Sequence, residues 1–240
     1  MFKNIPAGGI LTANRFSSCQ KIRYTTENHP RIRQMDSPEQ PQIYLITPPV
    51  FDLEVFPDTL ARILDTTDIA CIRLNIASTD EGDITRAADT LREVAHARDV
   101  ALVITDHVLM AERLGLDGVH LTDGARTVRF ARKSLGVDAI VGSYCAALRH
   151  DGLSAGESGA DYVSFGPVGA SPLGDGTVAD TDLFQWWSDV VEVPVVAEGG
   201  LTPALITTFA PITDFFGIGD EIWSTDDPQR ALADLLAAMG

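Results

Sequence analysis

The chain has 240 residues, 45% of them hydrophobic, and a net charge of −16 at pH 7. That length suits one barrel-sized domain or two small ones, and no apolar run approaches the roughly 18 residues of a membrane span. The acidic balance argues against nucleic acid and anionic membranes as partners. Three scattered cysteines, Cys19, Cys71 and Cys145, lack metal-ligand spacing and point to a reduced, cytoplasmic setting.

Residues 1–41 show no helical or strand period. Within residues 1–34 lie six basic side chains (Lys3, Arg15, Lys21, Arg23, Arg31, Arg33) and one acid, Glu27, so residues 35–240 carry −21. The segment reads either as an organelle transit peptide or as an extended start ahead of Met35, where the acidic part opens. Residues 1–41 are expected to form a disordered tail and residues 42–240 one domain.

Strand one is expected at Gln42–Thr47, closed by Pro48-Pro49, with helix one near Pro57–Asp65. Strand two follows at Ile69–Asn75. Helix two spans about Glu81 to Arg98, where Ile84, Ala87, Ala88, Leu91, Val94 and Ala95 make an apolar stripe. Strand three is Ala101–Thr105 and strand four Gly118–Leu121, separated by a helix near Val108–Leu114 that Gly115 caps. Helix four is placed near Ala125–Leu135, strand five at Ala139–Gly142, helix five near His150–Ser158 and strand six at Tyr162–Phe165. A long glycine-rich loop, 166–181, leads to helix six near Asp182–Val191. Strand seven is Val193–Ala197, strand eight Phe215–Ile218, and the last helix about Pro228–Met239.

An aspartate opens six of these strands: Asp68, Asp99, Asp117, Asp138, Asp161 and Asp214. Near-continuous apolar strands are those of a parallel sheet buried on both faces. Eight strand–helix units favour a closed α/β (β/α)8 TIM barrel over a doubly wound sheet. In such a barrel the chemistry lies at the C-terminal ends of the strands, and the aspartates mark the opposite, stabilising end.

The strand ends then bring together Thr47, Arg73 or Asn75, then Thr105, Asp106 and His107, then His120 and Asp123. Beyond them come Ser143, Tyr144 and Cys145, then Gly166, Pro167 and Ser171. The last two strands add Glu198, Gly199 and Gly200, then Gly219, Asp220 and Glu221. Glycine turns after strands seven and eight either hold a phosphate on backbone N–H groups or simply turn the chain. Glu198, Asp220 and Glu221 weigh against phosphate through charge repulsion. Asp106 is either a Mg²⁺ ligand or a helix N-cap, and Asp123 offers the same two choices. His120, inside strand four, is expected to be a satisfied core or rim residue, and Cys145 a packing residue.

Several segments carry a resemblance: 43–47, Leu102-Val103-Ile104-Thr105-Asp106, Asp117-Gly118-Val119-His120-Leu121, Gly159-Ala160-Asp161-Tyr162 through Gly166-Pro167, and Val196-Ala197-Glu198-Gly199-Gly200. In this order and spacing the chain resembles the family of thiamine phosphate synthase and thiazole tautomerase over residues 42–238. The resemblance implies a TIM-barrel transferase of thiamine biosynthesis. It would join a pyrimidine diphosphate to a thiazole phosphate and release pyrophosphate, with Mg²⁺ as cofactor and a small phosphorylated heterocycle as substrate. A homo-oligomer is compatible with it. Carried over by position, Arg73, Asn75, His107 and Ser171 are the candidate catalytic residues. Thr105, Tyr144, Gly166, Gly199, Gly200 and Gly219 are candidate substrate contacts, and Asp106 and Asp123 candidate metal ligands. Alternatives are a thiazole tautomerase-like isomerase and a non-catalytic binder of phosphorylated ligands.

The chain departs from the family pattern at the diphosphate clamp. Where that pattern reads Gln-Leu-Arg-Glu-Lys, this chain reads Arg73-Leu74-Asn75-Ile76-Ala77, and a small Ser-Ala pair after strand eight becomes Asp220-Glu221. The domain keeps one lysine, Lys133, leaving Arg73, Arg126 and Arg149 as candidate substitutes.

Overall fold

A computed structural model describes residues 40–240. The proposed tail falls almost wholly outside them, and Gln40 and Pro41 lead straight into the first strand. Eight parallel strands form a closed barrel in sequence order: β1 Gln42–Ile46, β2 Ile69–Leu74, β3 Ala101–Thr105, β4 Gly118–Leu121, β5 Ile140–Tyr144, β6 Tyr162–Phe165, β7 Val195–Glu198 and β8 Phe215–Ile218. β8 closes the circle on β1, with Leu45 opposite Ile218.

Around the barrel run α1 Phe56–Thr66, α2 Glu81–His96, α3 Val108–Arg113, α4 Val128–Leu135, α5 Arg149–Glu157, α6 Thr181–Val190, α7 Pro203–Phe209, α8 Asp220–Trp223 and α9 Pro228–Leu236. Aspartates begin several of them. Asp80, Asp180 and Asp227 each accept a backbone N–H three residues on, which satisfies a free donor of the first turn. Several boundaries differ from the sequence expectation, among them that of β7, which starts at Val195 rather than Val193. β5 runs on to Tyr144, whose hydroxyl is drawn to the Gly166 carbonyl, and α4 starts at Val128 after a series of turns.

The strands are apolar throughout because both faces are buried. Outward residues such as Leu45, Ile72, Leu102, Val119, Val163 and Phe216 pack under the helices. Inward ones, among them Tyr44, Cys71, Val103, Ile140, Tyr162, Val196 and Phe215, fill the barrel. Gly142 exists to admit Tyr162, since a Cβ there would lie 2.0 Å from the ring.

Three of the recurring aspartates act as clips between neighbouring strands. Asp117 accepts the N–H of Leu102 at 2.7 Å, Asp161 that of Val141 at 2.7 Å, and Asp214 that of Val195 at 2.8 Å. Each carboxylate at one strand's start thus satisfies the first free donor of the strand before it. Among the described residues no helix is long and apolar enough to cross a membrane.

Candidate active site at the barrel mouth

Just below the mouth the barrel interior turns polar. Arg73 from β2 meets Glu198 from β7, with Nη2 donating to Oε2 at 2.7 Å and Nη1 to Oε1 at 3.4 Å. Nη1 also donates to His120 Nε2 at 2.7 Å. A guanidinium only donates, so Nε2 must accept and His120 must carry its proton on Nδ1. That proton goes to the Tyr162 hydroxyl at 2.9 Å, leaving Tyr162 to donate to Tyr44 at 2.5 Å. Ser164 donates to Glu198 Oε1 at 2.5 Å. Every member is buried.

The electrostatics follow from that burial. Burial opposes the charge on Arg73, but Glu198, through its charge and its hydrogen bond, together with Tyr44 and Tyr162 more than offsets it, and Arg73 is held cationic more firmly than an ordinary arginine. His120 is pushed well below the usual imidazole range, first by burial and then by the Arg73 charge, so it is neutral. Burial also drives Tyr44 and Tyr162 well above the phenol range. His120 is therefore the satisfied core histidine that the sequence suggested, set in a network that no local pattern announces.

Above this floor stand the strand-end residues. Tyr144 donates to the Gly166 carbonyl at 2.7 Å, and burial, then Glu198 and Asp175, raise its phenol to about 12. Thr105 Oγ1 and Arg73 Nε are buried donors without a hydrogen-bond partner. Asn75 lends its backbone N–H to Thr47 Oγ1 at 3.0 Å, and Ser171 Oγ accepts from Leu173 at 3.2 Å within the loop after β6. His107 is the residue before α3 and makes no side-chain cap bond. Gly166 is fixed by close approach, because a Cβ would stand 2.3 Å from the Glu198 carbonyl oxygen.

Asp106 is not the cap of α3. Its backbone is left-handed, at φ 59°, and its two carboxylate oxygens accept from the N–H and hydroxyl of Thr122 at 2.8 and 2.6 Å. Asp123, next to Thr122, is not the cap of α4, whose preceding residue is Thr127. It accepts the Thr127 hydroxyl, and its Oδ1 is buried without a partner. Among the described residues no group of three acids, histidines or cysteines forms a ready metal cage.

At the turns after β7 and β8, Gly199 and Gly200 take φ of 85° and 75°. The backbone N–H groups of Gly200, Leu201 and Gly219 converge on the carboxylate of Glu221 at 2.9, 3.1 and 2.8 Å. An oxyanion cradle is present, and a side chain of the same protein sits in it.

Of the arginines considered as clamp substitutes, Arg73 is committed to Glu198, Arg126 is exposed in the turns before α4, and Arg149 lies over the Trp186 ring at 4.8 Å. Lys133 is exposed in the last turn of α4, remote from the mouth. Cys145 is buried, and burial lifts its thiol to about 12, which suits packing. A cavity of about 500 Å³ between the loops after β1 and β2 is lined by Phe51, Ile76 and Ala77 among others, and by none of the candidate site residues.

A closed (β/α)8 barrel belongs to the class whose chemistry lies at the C-terminal ends of the strands, where the buried network and the turns after β7 and β8 stand. The comparisons narrow that class. A thiamine monophosphate synthase family profile matches residues 43–212. A thiamine-phosphate synthase of Rhodospirillum centenum is 41% identical over 206 residues, covering 82% of this chain and 97% of that one. One from Erythrobacter litoralis is 37% identical over 211 residues, covering 82% and 96%. Among solved structures, thiamine phosphate pyrophosphorylase from Pyrococcus furiosus superposes with a TM-score of 0.71 at 21% identity, over 82% of this chain and 95% of its own, and supports the fold. The chain belongs to the thiamine monophosphate synthase family.

Proposed function

We propose that this chain carries out the family's transfer in thiamine biosynthesis, joining a pyrimidine diphosphate to a thiazole phosphate with release of pyrophosphate. The observation that carries the reading is the likeness to thiamine-phosphate synthases over nearly their whole length, at 41% identity to that of Rhodospirillum centenum. In the reaction the bond from the pyrimidine's methylene carbon to the diphosphate oxygen breaks, and the electron pair leaves on pyrophosphate. The thiazole ring nitrogen then supplies the pair for the new carbon–nitrogen bond. Most of the protein's work is electrostatic stabilisation of the departing charge.

Arg73 supplies a fixed cation beneath the reacting groups, with His120 and Glu198 setting its orientation. Asn75, His107 and Ser171 provide donors around the diphosphate, Asn75 standing where the family pattern has an arginine. Thr105, with its free hydroxyl, Tyr144 and Gly166 border the heterocycle. The chemistry of the acids fits Mg²⁺, since one or two carboxylates suffice when substrate phosphates and water complete the shell. Asp123, through its unpartnered oxygen, and Asp106 would hold it. When bound, the ion would neutralise diphosphate charge. A cytoplasmic setting belongs to the same proposal.

The test is incubation of the purified protein with pyrimidine diphosphate, thiazole phosphate and Mg²⁺, measuring pyrophosphate and thiamine phosphate together. Equal release of the two is expected, with Asp106→Asn losing the Mg²⁺-dependent rate. Absence of both products from the wild-type protein would remove the synthase reading.

A further inference from the structure

The three N–H groups at the turns after β7 and β8 are held by Glu221 through two kinds of contact. The bond from Gly219 spans two residues and would serve as a local cap at the start of α8. The bonds from Gly200 and Leu201 cross from another loop, 21 and 20 residues away, and local capping does not account for them. Gly200 has no room for a side chain, because a Cβ would stand 2.6 Å from the Ala170 carbonyl oxygen. Its positive φ and this close approach fix the direction of the donors.

One set of donors cannot serve Glu221 and a phosphate at the same time. A phosphate entering beside the carboxylate would meet Glu221 and its neighbour Asp220. Among the described residues no arginine or lysine is hydrogen-bonded or ion-paired to the cradle, and the nearby interior cation, Arg73, is engaged by Glu198. Like charges at contact distance without an intervening cation repel strongly in a partly buried site. A neutral hydroxyl meets a different situation. A carboxylate has about four acceptor positions, and the backbone uses three, so Oε2 can still accept a hydroxyl hydrogen.

We infer that Glu221 is a built-in competitor for the acceptor's phosphate, so that the thiazole pocket of this chain takes the free alcohol at least as well as the phosphate ester. The inference rests on the synthase reading for the identity of the acceptor, and it makes Glu221 a specificity-determining residue. Position 221 is where the family pattern carries a small residue that leaves such a cradle open. This chain has kept the backbone receptor and supplied its own anion to it.

Calorimetry on the full-length protein tests this with three probes: the thiazole phosphate, the thiazole with a free hydroxyl in place of the ester, and inorganic phosphate. The wild-type protein is expected to bind the alcohol no more weakly than the ester. Glu221→Ala, which restores a small side chain, should bind the ester and inorganic phosphate at least tenfold more tightly than wild type and reverse the preference. Glu221→Gln keeps the shape and one acceptor oxygen while removing the charge, and it should give a smaller gain in the same direction. It carries the test should the alanine variant lose its thermal unfolding transition. A wild-type preference for the ester of tenfold or more overturns the inference, as does a variant series with no gain in phosphate affinity. Inorganic phosphate separates this from the synthase reading. A gain for phosphate with no thiazole binding sustains the competitor and removes the synthase, whereas pyrophosphate release with no gain does the reverse.

Discussion

Arg73 and Glu198 stand 125 positions apart in the chain and meet inside the barrel, Nη2 to Oε2, at 2.7 Å. The pair crosses from β2 to β7 and is joined by His120 and Ser164. Removing one partner strands a buried charge. Glu198→Ala should therefore destabilise the protein by about 3–5 kcal/mol, and the double replacement Arg73→Met with Glu198→Leu by much less. Urea unfolding of Glu198→Ala and of the double variant checks this, and equal losses in the two would contradict it.

His120 links the same network to pH. Its folded-state pKa is depressed, so its contribution to stability is complete above the unfolded value near 6.5 and is lost as pH falls below it. The loss should be about 1.4 kcal/mol per pH unit in that range. Glutamine can accept from Arg73 and donate to Tyr162 without titrating. His120→Gln should thus unfold in urea with a shallower dependence between pH 6.5 and 5 than wild type, and parallel curves would remove the assignment.

Gly142→Ala should be among the most damaging single-atom changes in the barrel. The added methyl would lie 2.0 Å from Tyr162 Cζ, and Tyr162 is held by His120 and Tyr44 and cannot step aside. Overpacking of this kind destabilises by about 1–3 kcal/mol or more. A melting temperature equal to wild type would show that the interior can relax around it.

At the opposite face, Asp161→Ala removes the acceptor of the Val141 N–H and the partner of Arg132. A loss of about 1–2 kcal/mol is expected, with substrate affinity unchanged. A change in affinity larger than the change in stability would show that the two ends of the barrel are coupled.

The barrel was legible because burial on both faces leaves a strand no polar positions to hide its run, and because the aspartates punctuate the strand starts. Their task as strand-to-strand clips could be located but not read, since it depends on which strand lies alongside. The positions of the mouth residues followed from the strand ends. Their partners did not. Asp106 offered a metal ligand or a helix cap, and the actual contact, Thr122, requires the left-handed turn at Asp106 itself. Arg73 and Glu198 were each visible as a charge in or beside an apolar strand, which was the available signal that they pair. In the sequence Glu221 reads only as a repulsive neighbour, because Gly200 and Leu201 reach it only once the barrel has closed.

The aspartate clips have a consequence for how such a chain can change over time. They fasten the strands at the face away from the mouth, so a lineage can exchange lysine for alanine, or alanine for glutamate, around the opening while the fastening holds. Substrate preference then becomes something that drifts by single substitutions on a scaffold that stays folded throughout.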